Sequence, residues 1–207
     1  NLLKDNKPQA LAFAERTEKR LQKDPVNAAR YNDQFHDLLK REVIVEITDE
    51  EQKQYTGPSF YVSHHEVFKP DSVSTPLRIV INSSLRYNGV SPNDIWIKGT
   101  CALNSMWGIL LRFREYRYAL AGDMSKMYNQ IYTPEKEKHM RKLLWRFMNT
   151  DERFRTFGVN RVMFGDRPAA VVTAVAIRQT AEIHKSINQK AAEKIINDTY
   201  VDDVTTG

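Results

Sequence analysis

Two short apolar runs, far apart in the chain, each end in acid: residues 118–122 lead into Asp123, and Tyr200-Val201 leads into Asp202 and Asp203. Adjacent carboxylates repel, so a fold that brings a third beside them gains little unless a cation is present. Hard oxygen ligands grouped in this way suit Mg²⁺, which is usually held by one or two carboxylates together with substrate phosphates. Two such ions could serve an in-line phosphoryl displacement. Either acid site alone would be unremarkable, because Asp-Asp pairs are common in turns and caps.

Composition sets the frame for that reading. The 207 residues are 41% apolar and 28% charged, enough for one sizeable core or two small lobes and unlike a disordered or collagen-like chain. The longest apolar run, residues 169–177, is broken by Thr173 and falls far short of the roughly 20 residues a membrane span requires, so a membrane partner is not expected. The single cysteine, Cys101, permits no internal disulfide and no thiolate zinc site, which fits a reducing compartment. Net charge is +5 and the excess lies outside the first 50 residues, which hold nine Lys/Arg against ten Asp/Glu; the remainder holds 22 against 16. An anionic partner fits this balance, as does a solubilising surface. Neither a Gly-x-Ser-x-Gly elbow, a P-loop nor a dinucleotide glycine motif is present.

Along the chain, residues 8–23 and 25–41 read as helices with proline in the first turn, a charged helical extension over 1–50 whose Phe13, Tyr31, Phe35, Leu38 and Leu39 suggest docking surface. Short β-rich runs follow at 43–47, 60–62, 67–69 and 77–81. In the last of these, alternation puts Leu77, Ile79 and Ile81 on one face and Arg78, Val80 and Asn82 on the other. Residues 83–100 form a long connection. Leu103, Met106, Trp107, Leu110 and Phe113 recur at helical spacing, predicting a helix over 102–116 with that stripe as core. Strands are predicted at 118–122, 131–132, 143–148, 154–164 and 199–201, with a second long helix from Pro168 to about residue 190. His64-His65-Glu66 lacks the spacing of a zinc helix and reads as turn or surface. The order predicts an α+β fold with helices on one face of a sheet.

Against this background the chain resembles, over nearly its whole length, the reverse transcriptase of LTR retrotransposons, most closely the BEL/Pao group. The strings that carry the resemblance occur in the family's order: Tyr61-Val-Ser-His-His-Glu-Val-Phe-Lys-Pro70, Leu77-Arg-Ile-Val80, Gly89-Val-Ser-Pro-Asn-Asp94, Gly108-Ile-Leu-Leu-Arg-Phe-Arg114, Gly122-Asp-Met-Ser-Lys-Met-Tyr-Asn-Gln-Ile131, Phe164-Gly-Asp-Arg-Pro168 and Tyr200-Val-Asp-Asp203.

The resemblance implies the fingers and palm of a right-hand polymerase, the palm being a small antiparallel sheet backed by helices. Fingers would span 51–99 and 132–163 and palm 100–131 and 164–207, with thumb, RNase H and integrase regions in the rest of a polyprotein. It implies RNA-directed DNA synthesis from deoxynucleoside triphosphates on a primed RNA or DNA template, with two Mg²⁺ ions, or Mn²⁺ in their place, in cytoplasmic retroelement particles. Asp123, Asp202 and Asp203 match the catalytic acids, and the Met124 carbonyl is implied as a further metal ligand. Tyr128 matches the aromatic residue beneath the incoming sugar, and Gln130 resembles the residue following the aromatic in this motif, a plain hydrogen-bonding role being the alternative. Lys69 and Arg78 match the residues that grip the triphosphate; Phe164 and Gly165 match the loop against which the templating base pair rests. The chain departs from the family where Asn82 replaces an acid and where Ala169-Ala170 replaces a small residue and proline. A degenerate remnant that binds nucleic acid or merely folds is the competing expectation.

Overall fold

The computed structural model describes residues 2–69 and 76–207, so Pro70, which closes the first of the strings above, lies outside the described residues. In chain order the helices are α1 (Lys7–Leu21), α2 (Pro25–Lys40), α3 (Asp49–Gln54), α4 (Pro92–Ile95), α5 (Met106–Arg112), α6 (Ala169–Ile183) and α7 (Gln189–Asp198). The strands are β1 (Ile44–Glu46), β2 (Ser63–Phe68), β3 (Leu77–Asn82), β4 (Leu120–Asp123), β5 (Lys142–Trp145), β6 (Arg155–Val159), β7 (Thr199–Tyr200) and β8 (Asp203–Thr206). The fold is α+β, but the strands form three small antiparallel sheets, β1-β6-β5, β2-β3 and β4-β8-β7, where the sequence reading expected one.

The chain divides into two compact units, Asn1–Ile97 with Tyr132–Asp166, and Lys98–Ile131 with Arg167–Gly207. In the first, the N-terminal helices are core rather than docking surface. Tyr31 and Phe35 are fully buried among Val43, Ile44, Trp145 and Phe157. Asp24 caps α2 by accepting the Asn27 N–H at 3.1 Å, and Asn32 accepts the Trp145 indole N–H at 3.0 Å. Helix α3, absent from the sequence reading, starts at Thr48, whose hydroxyl accepts the Glu51 N–H at 3.2 Å beneath three acids in the first turn.

His64, expected in a turn or at the surface, is buried. Its place on β2 buries it against Tyr31, Phe35 and Trp145. The Tyr31 hydroxyl donates to Nδ1, and Nε2 donates to the Leu144 carbonyl at 2.9 Å. Burial pushes the imidazole down to about 4, and the Leu144 bond opposes that only in part. A neutral ring with one donor and one acceptor nitrogen satisfies both partners.

In the second unit the helix expected from Pro168 to about residue 190 ends at Ile183, and a separate helix, α7, follows from Gln189. Asn188 ends the run by capping α7, accepting the Ala191 N–H at 3.0 Å. Helix α5 is shorter than its stripe predicted, because Ser105 caps it through the Gly108 N–H. Only Ile109 of that segment is fully buried, whereas Trp107 is 79% exposed and Met106, Leu110 and Leu111 also face outward. Within this unit the stripe marks an apolar face that the described residues leave largely exposed. No helix among the described residues is long and apolar enough to cross a membrane.

Candidate functional site

The β4-β8-β7 sheet brings the distant acids together. Strand β8 lies antiparallel to β4 with Asp123 opposite Asp203 and Leu120 opposite Thr206. It also returns along β7, pairing Tyr200 with Asp203 and leaving Val201-Asp202 as a two-residue turn. The Met124 N–H then donates to the Asp202 carbonyl at 2.8 Å, tying the turn to the end of β4. One carboxylate oxygen from each of Asp123, Asp202 and Asp203 lies within 4.8 Å of the others.

Two features give this cluster its character. Asp123 and Asp203 are exposed and Asp202 is half-buried, so water reaches the site. No ion pair joins any of the three to a lysine or arginine among the described residues, and their mutual repulsion is on the order of 1 kcal/mol per pair even in water. The turn is strained as well. Val201 sits at φ 57, a left-handed conformation that a β-branched residue rarely adopts and that persists only where neighbours impose it.

After Asp123 the chain makes a 3-10 turn, Met127–Gln130. The Met124 carbonyl accepts the Met127 N–H at 3.2 Å, which occupies one of its two lone pairs. Met127 is buried, Tyr128 half-buried and Gln130 exposed. Burial, and after it the Asp202 carboxylate, pushes the Tyr128 phenol up. Met124, Met127 and Ile131 line an apolar cavity with Ala176, Ile177 and Ile195.

The remaining sequence-derived residues belong to the first unit. Lys69 and Arg78 are exposed, at the end of β2 and on β3. Arg78 lies opposite Val67, and the Lys69 N–H donates to the Pro76 carbonyl at 2.9 Å. Leu77, Ile79 and Ile81 are buried on the other face, as the alternation requires. Asn82 accepts the Ser84 N–H on its Oδ1 at 3.1 Å.

Phe164 is exposed, and Gly165 has φ 108 with its carbonyl accepting from Asn93 Nδ2 at 2.8 Å. A Cβ on Gly165 would lie 2.5 Å from the Ile81 carbonyl oxygen, so only glycine fits here. Sequence reasoning missed what holds this loop. Asp166 accepts from Ser83 Oγ at 2.7 Å and from Arg141 Nη1 at 2.6 Å, and Arg141 is 1% exposed. Nothing in a Gly-Asp dipeptide distinguishes such an anchor from an ordinary turn.

No protein-family model and no curated protein matches the chain. Among solved structures it is similar to the foamy viral protease-reverse transcriptase dRH in complex with double-stranded DNA, with a TM-score of 0.57 at 17% identity. The match covers 83% of this chain and 24% of that one, so these residues span about a quarter of the neighbour's length. The chain therefore has a reverse transcriptase-like α+β fold.

Proposed function

We propose that these residues are the fingers and palm of an RNA-directed DNA polymerase of the BEL/Pao type, joining a primer 3′-hydroxyl to the α-phosphate of a deoxynucleotide. The observation that carries the reading is the convergence of Asp123, Asp202 and Asp203 within 4.8 Å on a reverse transcriptase-like fold. Three water-accessible hard oxygen donors without a protein cation fit Mg²⁺ or Mn²⁺. The three acids and the free lone pair of the Met124 carbonyl would hold a pair of such ions. When bound, the ions lower the pKa of the attacking hydroxyl and neutralise charge on the phosphoryl and leaving oxygens.

The other assignments rest on the resemblance, each with a physical reason. Tyr128 would seat the deoxyribose and, as the resemblance implies, exclude a 2′-hydroxyl, and Gln130 would supply a hydrogen bond nearby. Lys69 and Arg78, exposed cations on one hairpin, would neutralise the triphosphate. The Phe164-Gly165 turn would take the templating base pair against glycine backbone. Contacts to the template would fall mainly on phosphate and sugar, so binding would weaken steeply with salt. Thumb, RNase H and integrase regions of a polyprotein would be the macromolecular partners, and cytoplasmic particles the setting.

The test is primer extension with Mg²⁺ by the protein carrying these residues, beside its Asp202→Asn variant. The reading requires synthesis to fall to background in the variant; undiminished synthesis refutes it. Asn82, whose side chain serves a local turn in place of a family acid, favours one alternative, a remnant that binds primer–template without extending it. Extension by the unaltered protein excludes that alternative.

A further inference from the structure

Four residues before Asp202, the chain buries another carboxylate. Asp198, the last residue of α7, is fully inaccessible to solvent. Arg112 Nε at the end of α5 donates to it at 2.6 Å, Thr206 Oγ1 on β8 at 2.7 Å, and Lys194 Nζ stands 3.5 Å away. Arg112 also donates to the Asn197 carbonyl. Burial alone would raise the Asp198 pKa; the bonds from Arg112 and Thr206, with the charges of Arg112 and Lys194, outweigh it and hold the carboxyl below its ordinary range.

A second clamp acts on the same junction. Asn104 donates to the carbonyls of Ile196 and Thr199 at 2.8 and 2.9 Å while accepting from Arg178 at 2.7 Å. Helices α5 and α6 thereby grip the point where α7 becomes β7.

Buried ion pairs are weak evidence for stability, because desolvation offsets much of their attraction. This one has a geometric consequence. Thr206, which it holds, lies opposite Leu120, three residues along the same ladder that sets Asp203 opposite Asp123. A one-residue slip of β8 would turn Asp203 to the other face of the sheet. At the other end of the strand the Met124 N–H to Asp202 carbonyl bond holds the tip, where Val201 sits in an unfavourable conformation, so the Asp198 grip on Thr206 secures the end of the ladder far from the acids.

We propose that Asp198, gripped by Arg112 and Thr206, is a positioning residue that fixes the register of β8 against β4 and so the spacing of Asp123, Asp202 and Asp203. The inference rests on the metal-binding reading above and extends it to a residue that touches neither metal nor nucleotide.

Mn²⁺ binding to the chain, followed by electron paramagnetic resonance alongside a thermal melt, tests this. Asp198→Asn should remain folded while its Mn²⁺ affinity drops about 10- to 100-fold, the range seen when groups that orient metal ligands are lost. Arg155→Gln, which removes an ion pair with Glu46 in the other unit, serves as the control and should leave affinity unchanged. If Asp198→Asn does not fold, Thr206→Val, which deletes one hydroxyl donor, takes its place with several-fold weaker binding expected. A folded variant binding Mn²⁺ within twofold of the unaltered chain overturns the positioning role. Asp202→Asn separates the two layers: if it too binds Mn²⁺ like the unaltered chain, the metal site itself is wrong and the positioning role falls with it.

Discussion

Lowering the pH from 7 to 5 charges a histidine in the unfolded chain and leaves His64 neutral in the folded one. The ordinary imidazole value is 6.5 and burial among Tyr31, Phe35 and Trp145 takes His64 to about 4. Between those values the unfolded state binds the extra proton, so stability falls as pH falls. The contribution of neutral His64 is intact above 6.5 and is progressively lost down to about 4. Linkage places the loss at pH 5 at about 2 kcal/mol, a sizeable share of the 5–15 kcal/mol typical of a domain. His139, also lowered by burial with Glu51 opposing, adds loss of the same sign. Carboxylates held low by cations, such as Glu46 beside Arg155, cost stability mainly below about 4.5, under the pH 7 to 5 range of the measurement. Urea unfolding at pH 7, 6 and 5 should show the midpoint falling steadily, while the His64 ring proton resonances stay unshifted down to pH 5. A His64 titration midpoint near 6.5 would refute the reasoning, since it would mean that the ring is solvated.

Three further outcomes follow from the packing. Phe35→Ala should cost about 3–5 kcal/mol in chemical denaturation, because α2 is core; a loss below 1 kcal/mol would return the N-terminal helices to the status of an appendage. Gly165→Ala should destabilise by about 1–3 kcal/mol, from a left-handed φ and a contact of 2.5 Å with the Ile81 carbonyl, and a neutral result would show that this turn relaxes freely. Val201→Gly should leave the melting temperature unchanged or higher, since about 1–2 kcal/mol of left-handed strain is removed against the entropy of glycine, yet weaken Mn²⁺ binding as the Asp202 turn loosens. Unaltered Mn²⁺ binding would show that the strain serves no purpose at the site.

The sequence was most informative where a single periodicity or motif acts locally. Alternation over Leu77, Ile79 and Ile81 placed Arg78 on the exposed face, and the acids after two apolar runs marked the strand ends that meet. It misled where burial depends on distant partners. The α5 stripe showed an apolar face without saying that most of it is exposed among the described residues, and Tyr31 and Phe35 gave no sign that their helix closes over β2 and β5. His64 read as polar surface because its neutral, doubly bonded state exists only once Tyr31 and the Leu144 carbonyl converge on it. Asp166 and Asp198 were illegible for the same reason, as their arginines stand 25 and 86 residues away. Helix α3 could have been found from Thr48 and the three acids that follow it.

The most direct measurement on the whole account is a crystal structure of the chain grown with Mn²⁺, with anomalous scattering to locate the ion. The expected result is an anomalous peak coordinated by Asp123 and Asp202, with Asp203 at its edge and β8 in the register that sets residue 203 opposite 123. Separated carboxylates, with no manganese between them at saturating concentration, would contradict it.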